Sequence, residues 1–258
     1  MMGNADPKAS TAGGDAPSRV VAAPDLSLLP RDRLEEMHDA AAIALECQTV
    51  LQKSGMSVVS EVLRGQGDFV IWERYPKGDI FDTETHSHYF YHSHTPDELA
   101  EGENGHFHIF VRPEGIAPGL QPWELPGAVV PAEPGARFVH LGALSVDAYG
   151  NPIRLFTTNR WVTDETFYRA EDVIALIGAF RIGLAHPNWA VNQWLNAMVT
   201  LYRPQLEALL RRRDEVITDW SARHSDADVL EDRRLQNTSE TPIDIAAQIA
   251  AIEAALSL

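Results

Sequence analysis

Six of the ten histidines of this chain stand close together: His86, His88, His92, His94, His106 and His108. Neutral imidazole is a good ligand for zinc, iron, copper and nickel, whereas hard, oxygen-seeking ions want carboxylates. The question is whether these rings can meet. In a β-strand, residues two apart share a face, and all six histidines have even numbers. HSHYFYHSH (86–94) and GHFHIFVRP (105–113) both alternate. His86, His88, Phe90, His92 and His94 therefore line one side of the first segment, and His106, His108 and Phe110 one side of the second. The opposite side carries Tyr89, Tyr91, Phe107, Ile109 and Val111, an apolar set suited to burial against helices.

Distance narrows the ligand set. His86 and His94 would lie about 26 Å apart along an extended strand and cannot share one ion. A symmetric hairpin through 95–105 sets 94 opposite 106 and 92 opposite 108, with Cβ atoms about 5 Å apart. Metal–nitrogen bonds of about 2.0–2.1 Å are then within reach. His92, His94, His106 and His108 form the predicted patch, and His140 in the next strand (RFVHLGALSV) is a further ligand, expected to share its face with Phe138 and Leu144. His86 and His88 remain for a second ion, for substrate or for solvent. Glu103 is the best placed carboxylate, and a carboxylate with two histidines would favour iron(II); an all-histidine set favours zinc or copper. Arg112, Arg154 and Arg160 are cations that could hold an anionic substrate, with Arg112 and Arg160 taken as candidates. His38, His186 and His224 have no such company.

The elements that position these residues are legible from periodicity. Residues 1–24, rich in Gly, Ala, Pro, Ser and Asp, read as a disordered tail, and 25–258 as one domain. Leu34, Met37, Ala41, Leu45, Gln48 and Leu51 mark an amphipathic helix from Pro30 to about Gly55. Strands are expected at 68–75 (DFVIWERY, with a turn at Pro76, Gly78 and Asp79), 86–94, 105–113, 137–147 and 153–161. The proline-rich stretch 114–136 reads as an irregular excursion. Helices follow from Asp164 to about Phe180, from Asn188 with a kink or restart at Pro204, and over 243–256. The fold class is α+β: a central antiparallel sheet of about five strands flanked by N-terminal and C-terminal helices.

Composition bounds the partners. A net charge of −16 excludes the basic footprint that nucleic acids or anionic membranes require. No apolar run is long enough to span a bilayer, and the N-terminus lacks the apolar core of a signal peptide, so a cytoplasmic protein is expected. The single cysteine, Cys47, rules out an intrachain disulfide and thiolate clusters.

The string GHFHIF, with Pro134, Gly135 and the later His140, resembles the two metal motifs of the cupins in site geometry. Glu114 stands where that pattern's glutamate would fall, beyond Pro113, and Leu144 where its asparagine would be. YFYHSH, ENGHFHIF, HLGALSVD and TTNRWVT resemble an uncharacterised bacterial family, a resemblance that implies no reaction. The residues themselves imply a transition-metal ion (Fe, Zn or Cu), with small-molecule substrate or dioxygen as partner. The expected role is a metal-dependent enzyme of non-haem oxidase or oxygenase type. The alternatives are metal storage, sensing or delivery, a metal-dependent hydrolase, or haem ligation. Oligomeric state is not legible.

Overall fold

The computed structural model describes residues 18–116, 118–129, 137–224 and 227–257. Most of the expected tail, 1–17, and Pro134 and Gly135 lie outside them. Residues 18–24, assigned by composition to the tail, run beside the last strand: the Val21 N–H donates to the Glu240 carbonyl at 2.8 Å, and Glu240 N–H to the Arg19 carbonyl.

Six strands form one antiparallel sheet in sequential order: β1 (Tyr75–Phe81), β2 (Ser87–His92), β3 (Gly105–Val111), β4 (Val139–Val146), β5 (Pro152–Thr158) and β6 (Asn237–Pro242). Helices α1 (Arg31–Lys53) and α2 (Val58–Leu63) precede it; α3 (Arg160–Thr163), α4 (Ala170–Ile177), α5 (Trp189–Leu201) and α6 (Arg203–Arg223) intervene before β6, and α7 (Ile245–Leu256) follows. The class is α+β, with one strand more than the sequence suggested. β6 (NTSETP) carries no apolar alternation. It pairs with β5 instead through buried hydroxyls, Thr157 Oγ1 lying 2.7 Å from Thr238 Oγ1 and 2.6 Å from Ser239 Oγ.

The first strand also differs. Residues 68–74, expected as a strand, form turns with Phe69, Val70, Ile71 and Trp72 at 39–52% exposure, while the supposed turn residues Pro76, Gly78 and Asp79 lie inside β1. β1 is an edge strand, the one place in a sheet where proline and glycine leave no ladder bond broken. The expected helix from Asp164 to Phe180 starts later, at Ala170: Asp164 is the left-handed C-cap that ends α3, and 165–169 have no regular structure. Pro204 restarts a helix: α5 ends at Leu201 and α6 begins at Arg203, with the proline in its first turn, where the missing N–H costs nothing.

Two-residue periodicity partitions the faces of β2 and β3. Tyr89, Tyr91, Phe107 and Ile109 are all but inaccessible and pack toward α5; the Phe107 and Trp194 rings lie 5.6 Å apart, and the Tyr89 hydroxyl donates to Asn192 Oδ1 at 2.6 Å. Burying such aromatic side chains supplies about 1.5–3 kcal/mol each. The imidazole face, rather than lying open, is roofed by irregular chain. Asn159 Nδ2 donates to the Val229 carbonyl while its Oδ1 accepts the Arg160 N–H as the cap of α3; the Trp161 indole donates to the Leu235 carbonyl, and Trp123 N–H to the Phe167 carbonyl. Both faces of β3 and β4 are consequently buried.

Candidate metal centre

Register decides which rings meet. β2 and β3 pair with His92 opposite His106, Phe90 opposite His108 and His88 opposite Phe110. The predicted opposition of 94 with 106 and 92 with 108 is thus off by two residues, a slip that conserves the face because side chains repeat every two. Gly105 sets this register. A Cβ there would stand 2.4 Å from Tyr91 Oη and 2.6 Å from the His92 carbonyl oxygen, so only glycine lets the strands close at this point.

β4 adds a second correction. Ile109 faces Gly142, but Phe110 faces His140, so Leu141 is an extra residue, a bulge that reverses parity. Gly142, with φ +152°, absorbs the bend. His140 therefore joins the imidazole face, while Leu144, expected beside it, sits opposite Phe107 on the helix face; Ala143 takes its place opposite His108.

The result is a convergence of Nε2 atoms. His92 Nε2 lies 2.7 Å from His106 Nε2, 3.2 Å from His108 Nε2 and 3.4 Å from His94 Nε2. His92, His94 and His106 each offer a ligand atom with all three within 4.8 Å of one another. A metal–nitrogen bond of about 2.0–2.1 Å spaces two tetrahedral ligands about 3.3–3.4 Å apart, and two ligands at right angles about 2.9 Å. The separations from His92 fall around these values. A hollow of about 30 Å³ opens between His94, His106 and His108, room for one ion or water. The donor set fits a transition-metal ion.

Far-side contacts of His106 and His108 bear on which of their ring nitrogens is protonated. His106 Nδ1 lies 2.6 Å from Glu103 Oε1, whose other oxygen accepts from Arg154 Nη2 at 2.8 Å and from the Ala100 N–H. Burial works against ionising Glu103, but the His106 hydrogen bond, the Arg154 charge and the Ala100 N–H outweigh it and hold the carboxyl below its ordinary range. A carboxylate only accepts, so Nδ1 of His106 carries a proton, which leaves Nε2 as the one ring nitrogen that could coordinate. Glu103, considered a ligand from sequence, is the carboxylate behind a ligand, a pairing that orients the ring and raises its basicity. His108 Nδ1 faces His140 Nε2 at 3.0 Å, and His140 Nδ1 lies 3.4 Å from Thr158 Oγ1. With the proton of that first pair on His108 Nδ1, His108 Nε2 is left free toward His92. His140 is therefore a support for His108 and does not reach the three-histidine group. His94, just past the end of β2, is held by the Trp72 indole, ring centres 4.2 Å apart. The segment misread as a strand supplies that wall.

Four of the rings, His92, His94, His108 and His140, are biased toward the neutral form. Burial first, then the neighbouring His106 and His94 and the Arg74 charge, pulls the His92 imidazole down to about 2. Burial and Arg213 pull His140 to about 3. His108 is driven well below its ordinary value by burial and by the surrounding histidines, and His94 is lowered by burial and His106.

The remaining candidates lie elsewhere. His86 occupies a left-handed turn at φ 58° against Gly115, outside the strand. His88 Nε2 contacts Asp79 Oδ2 at 2.9 Å, and the ring packs between Phe110 and Phe138. The two do not form an ion-binding group among the described residues. Arg112 covers the Phe81 ring at the other end of the hairpin. Arg160 is committed to Asp228, Glu231 and the Val129 carbonyl. Neither faces the histidine group. Arg154 does, through Glu103.

A cleft of about 680 Å³ reaches His92 and His94 from outside, walled by Trp72, Phe90, Phe138 and Trp161 with Arg74 and Arg233. That volume suits a small organic molecule. Trp72, Trp161, Arg74 and Arg233 were not singled out in the sequence: Trp72, Arg74 and Trp161 fell within segments read as strands, whereas Trp72, Arg74 and Arg233 come from turns or irregular chain and Trp161 from the short helix α3.

Residues 38–243 match the model of a domain of unknown function, DUF6969. The chain belongs to that family. No curated protein and no solved structure matches it. The likeness to cupins stops short of the fold: a single sequential six-stranded sheet with β1 and β6 unpaired to each other is not a barrel, Glu114 sits in a short 3₁₀ turn, and Leu144 faces the core.

Proposed function

We propose that the protein is a metal-dependent enzyme, oxidase- or oxygenase-like, whose ion is held by His92, His94 and His106 with His108 beside them. The observation that carries this reading is the meeting of one ring nitrogen from each of His92, His94 and His106 within 4.8 Å, with His92 and His94 lining a substrate-sized cleft. Three histidine ligands suit iron, copper or zinc and leave coordination positions open. When bound, the ion supplies a Lewis acid and, as iron or copper, an electron source for dioxygen.

The chain's own groups divide the remaining tasks. Glu103 and Arg154 fix the His106 ring, and His140 fixes His108. Phe90 and Phe138 keep the inner cleft apolar, which strengthens every charge interaction made there. An adjoining cleft argues for catalysis over storage or delivery, where full coordination by protein would serve better. A second reading, metal-assisted hydrolysis, draws on Glu98, which lines the cleft next to His94 and is placed to take a proton from water.

Elemental analysis of untagged protein, joined to its absorption spectrum, tests the centre. About one transition-metal ion per chain is expected, and a His92→Ala, His106→Ala double variant should lose it. A double variant with full metal content overturns the assignment. Dioxygen uptake by the iron- or copper-loaded protein, against ester or amide hydrolysis by the zinc-loaded one, separates the two enzymatic readings.

A further inference from the structure

In a chain of net charge −16, the walls of the metal cleft carry two guanidinium groups. Each lies over an aromatic ring of the same cleft: Arg74 over Phe90 at 4.9 Å and Arg233 over Trp161 at 5.3 Å. Their charges are unequally spent. Arg74 contacts Asp79 Oδ2 at 3.2 Å, a carboxylate it shares with His88. Arg233 is exposed and has no carboxylate within 4.0 Å among the described residues. The neighbouring acids are engaged: Asp232 with Arg234 and the Trp220 indole, Asp228 with Arg160. The acids lining the cleft are engaged too, Asp164 with Arg137 and Glu98 with the Thr95 N–H and hydroxyl.

We propose that this cleft takes a small organic acid with an apolar body, its carboxylate bound by Arg233 with help from Arg74 and its body laid between Trp72, Phe90, Phe138 and Trp161. The inference rests on the reading of the cleft as the substrate site of the metal centre. A guanidinium matches a carboxylate with two parallel N–H donors. Stacking on indole holds the fork in place before the ligand arrives, so less freedom is lost on binding. A cleft of about 680 Å³ has room for a body of one or two rings. The role of anion holder, sought from sequence in Arg112 and Arg160, thereby passes to two arginines that reach the cleft from loops.

Phenylacetate and phenylacetamide, near-identical in shape and different in charge, provide the test. Calorimetric titration of the full chain, zinc-loaded and zinc-free, should show phenylacetate binding at least about tenfold more tightly. Arg233→Gln should cut that ratio to below about threefold, and the Arg233→Gln, Arg74→Gln double variant should abolish it, with zinc content unchanged in both. Equal binding of the two compounds, no binding of either, or a preference that survives the double variant overturns the inference. Zinc analysis of the same samples keeps this outcome apart from failure of the metal reading, because a chain that binds no zinc but prefers the anion sinks the metal centre alone.

Discussion

Acid should weaken the metal-free protein well before its carboxylates protonate, and the burial of the histidines sets the size of the effect. His92 and His140 have native values near about 2 and about 3, against 6.5 for an exposed ring. Their depressed values mean that the unfolded chain takes up protons the native chain refuses. The stability gained by neutrality is intact above 6.5 and drains away as pH falls toward the native values. Between about pH 7.5 and about pH 5, each ring contributes a loss of about 2 kcal/mol, together about 4 kcal/mol. Glu165 works in the opposite sense. Burial, against the pull of Arg213 and the His140 N–H, raises its carboxyl from 4.5 to about 7. The native state therefore holds a proton that the unfolded chain releases, a contribution present at low pH and lost as pH rises through about 7. Lowering the pH over the same interval restores about 2 kcal/mol through Glu165. The net loss from these three groups is about 2 kcal/mol, and His108 and His94, both lowered by burial, deepen it. Urea unfolding of chelator-treated protein at the two pH values measures the difference. In Glu165→Gln the opposing contribution disappears, so the drop should steepen by about 2 kcal/mol. Stability that holds level or rises on acidification, or a slope indifferent to Glu165→Gln, refutes the argument that these rings are buried and neutral.

Other outcomes follow from single contacts. Glu103→Gln presents an amide to the Arg154 guanidinium and weakens the hold on His106 Nδ1, so metal affinity should fall about 10- to 100-fold in a competition titration, with the fold retained by circular dichroism. Gly105→Ala forces a Cβ into the Tyr91 hydroxyl and the His92 carbonyl; both the unfolding midpoint and metal content should drop, and an unchanged protein would show that this strand approach is looser than described. Phe107→Ala empties a fully buried position against Trp194, costing about 3–5 kcal/mol in urea unfolding while the imidazole face keeps its residues. His140→Leu removes the acceptor for His108 Nδ1 and should weaken metal binding less than His92→Ala, which removes the ring at the hub of the cluster.

Chemistry was written locally and geometry was not. The even-numbered histidines of 86–94 and 105–113, set against odd-numbered aromatics, define a greasy face and an imidazole face without reference to the rest of the chain, because strand alternation is a property of the backbone. The helices around Leu34–Leu51, after Asn188 and at 243–256 are legible for the same reason: their period is local. Register, by contrast, depends on how two segments meet, and a two-residue slip leaves the faces intact while exchanging every partner. Only the close approach at Gly105 settles it. The bulge at Leu141 swaps Ala143 for Leu144 beside His108, a choice made by β3 and β4 together. β6 escapes a hydrophobic reading because its buried contacts are hydroxyls. Trp72, Arg74 and Arg233 come to the cleft from turns and irregular chain and Trp161 from the four-residue α3, all too short to show a period that marks a side chain's direction; their meeting exists only once the chain has folded back over the sheet.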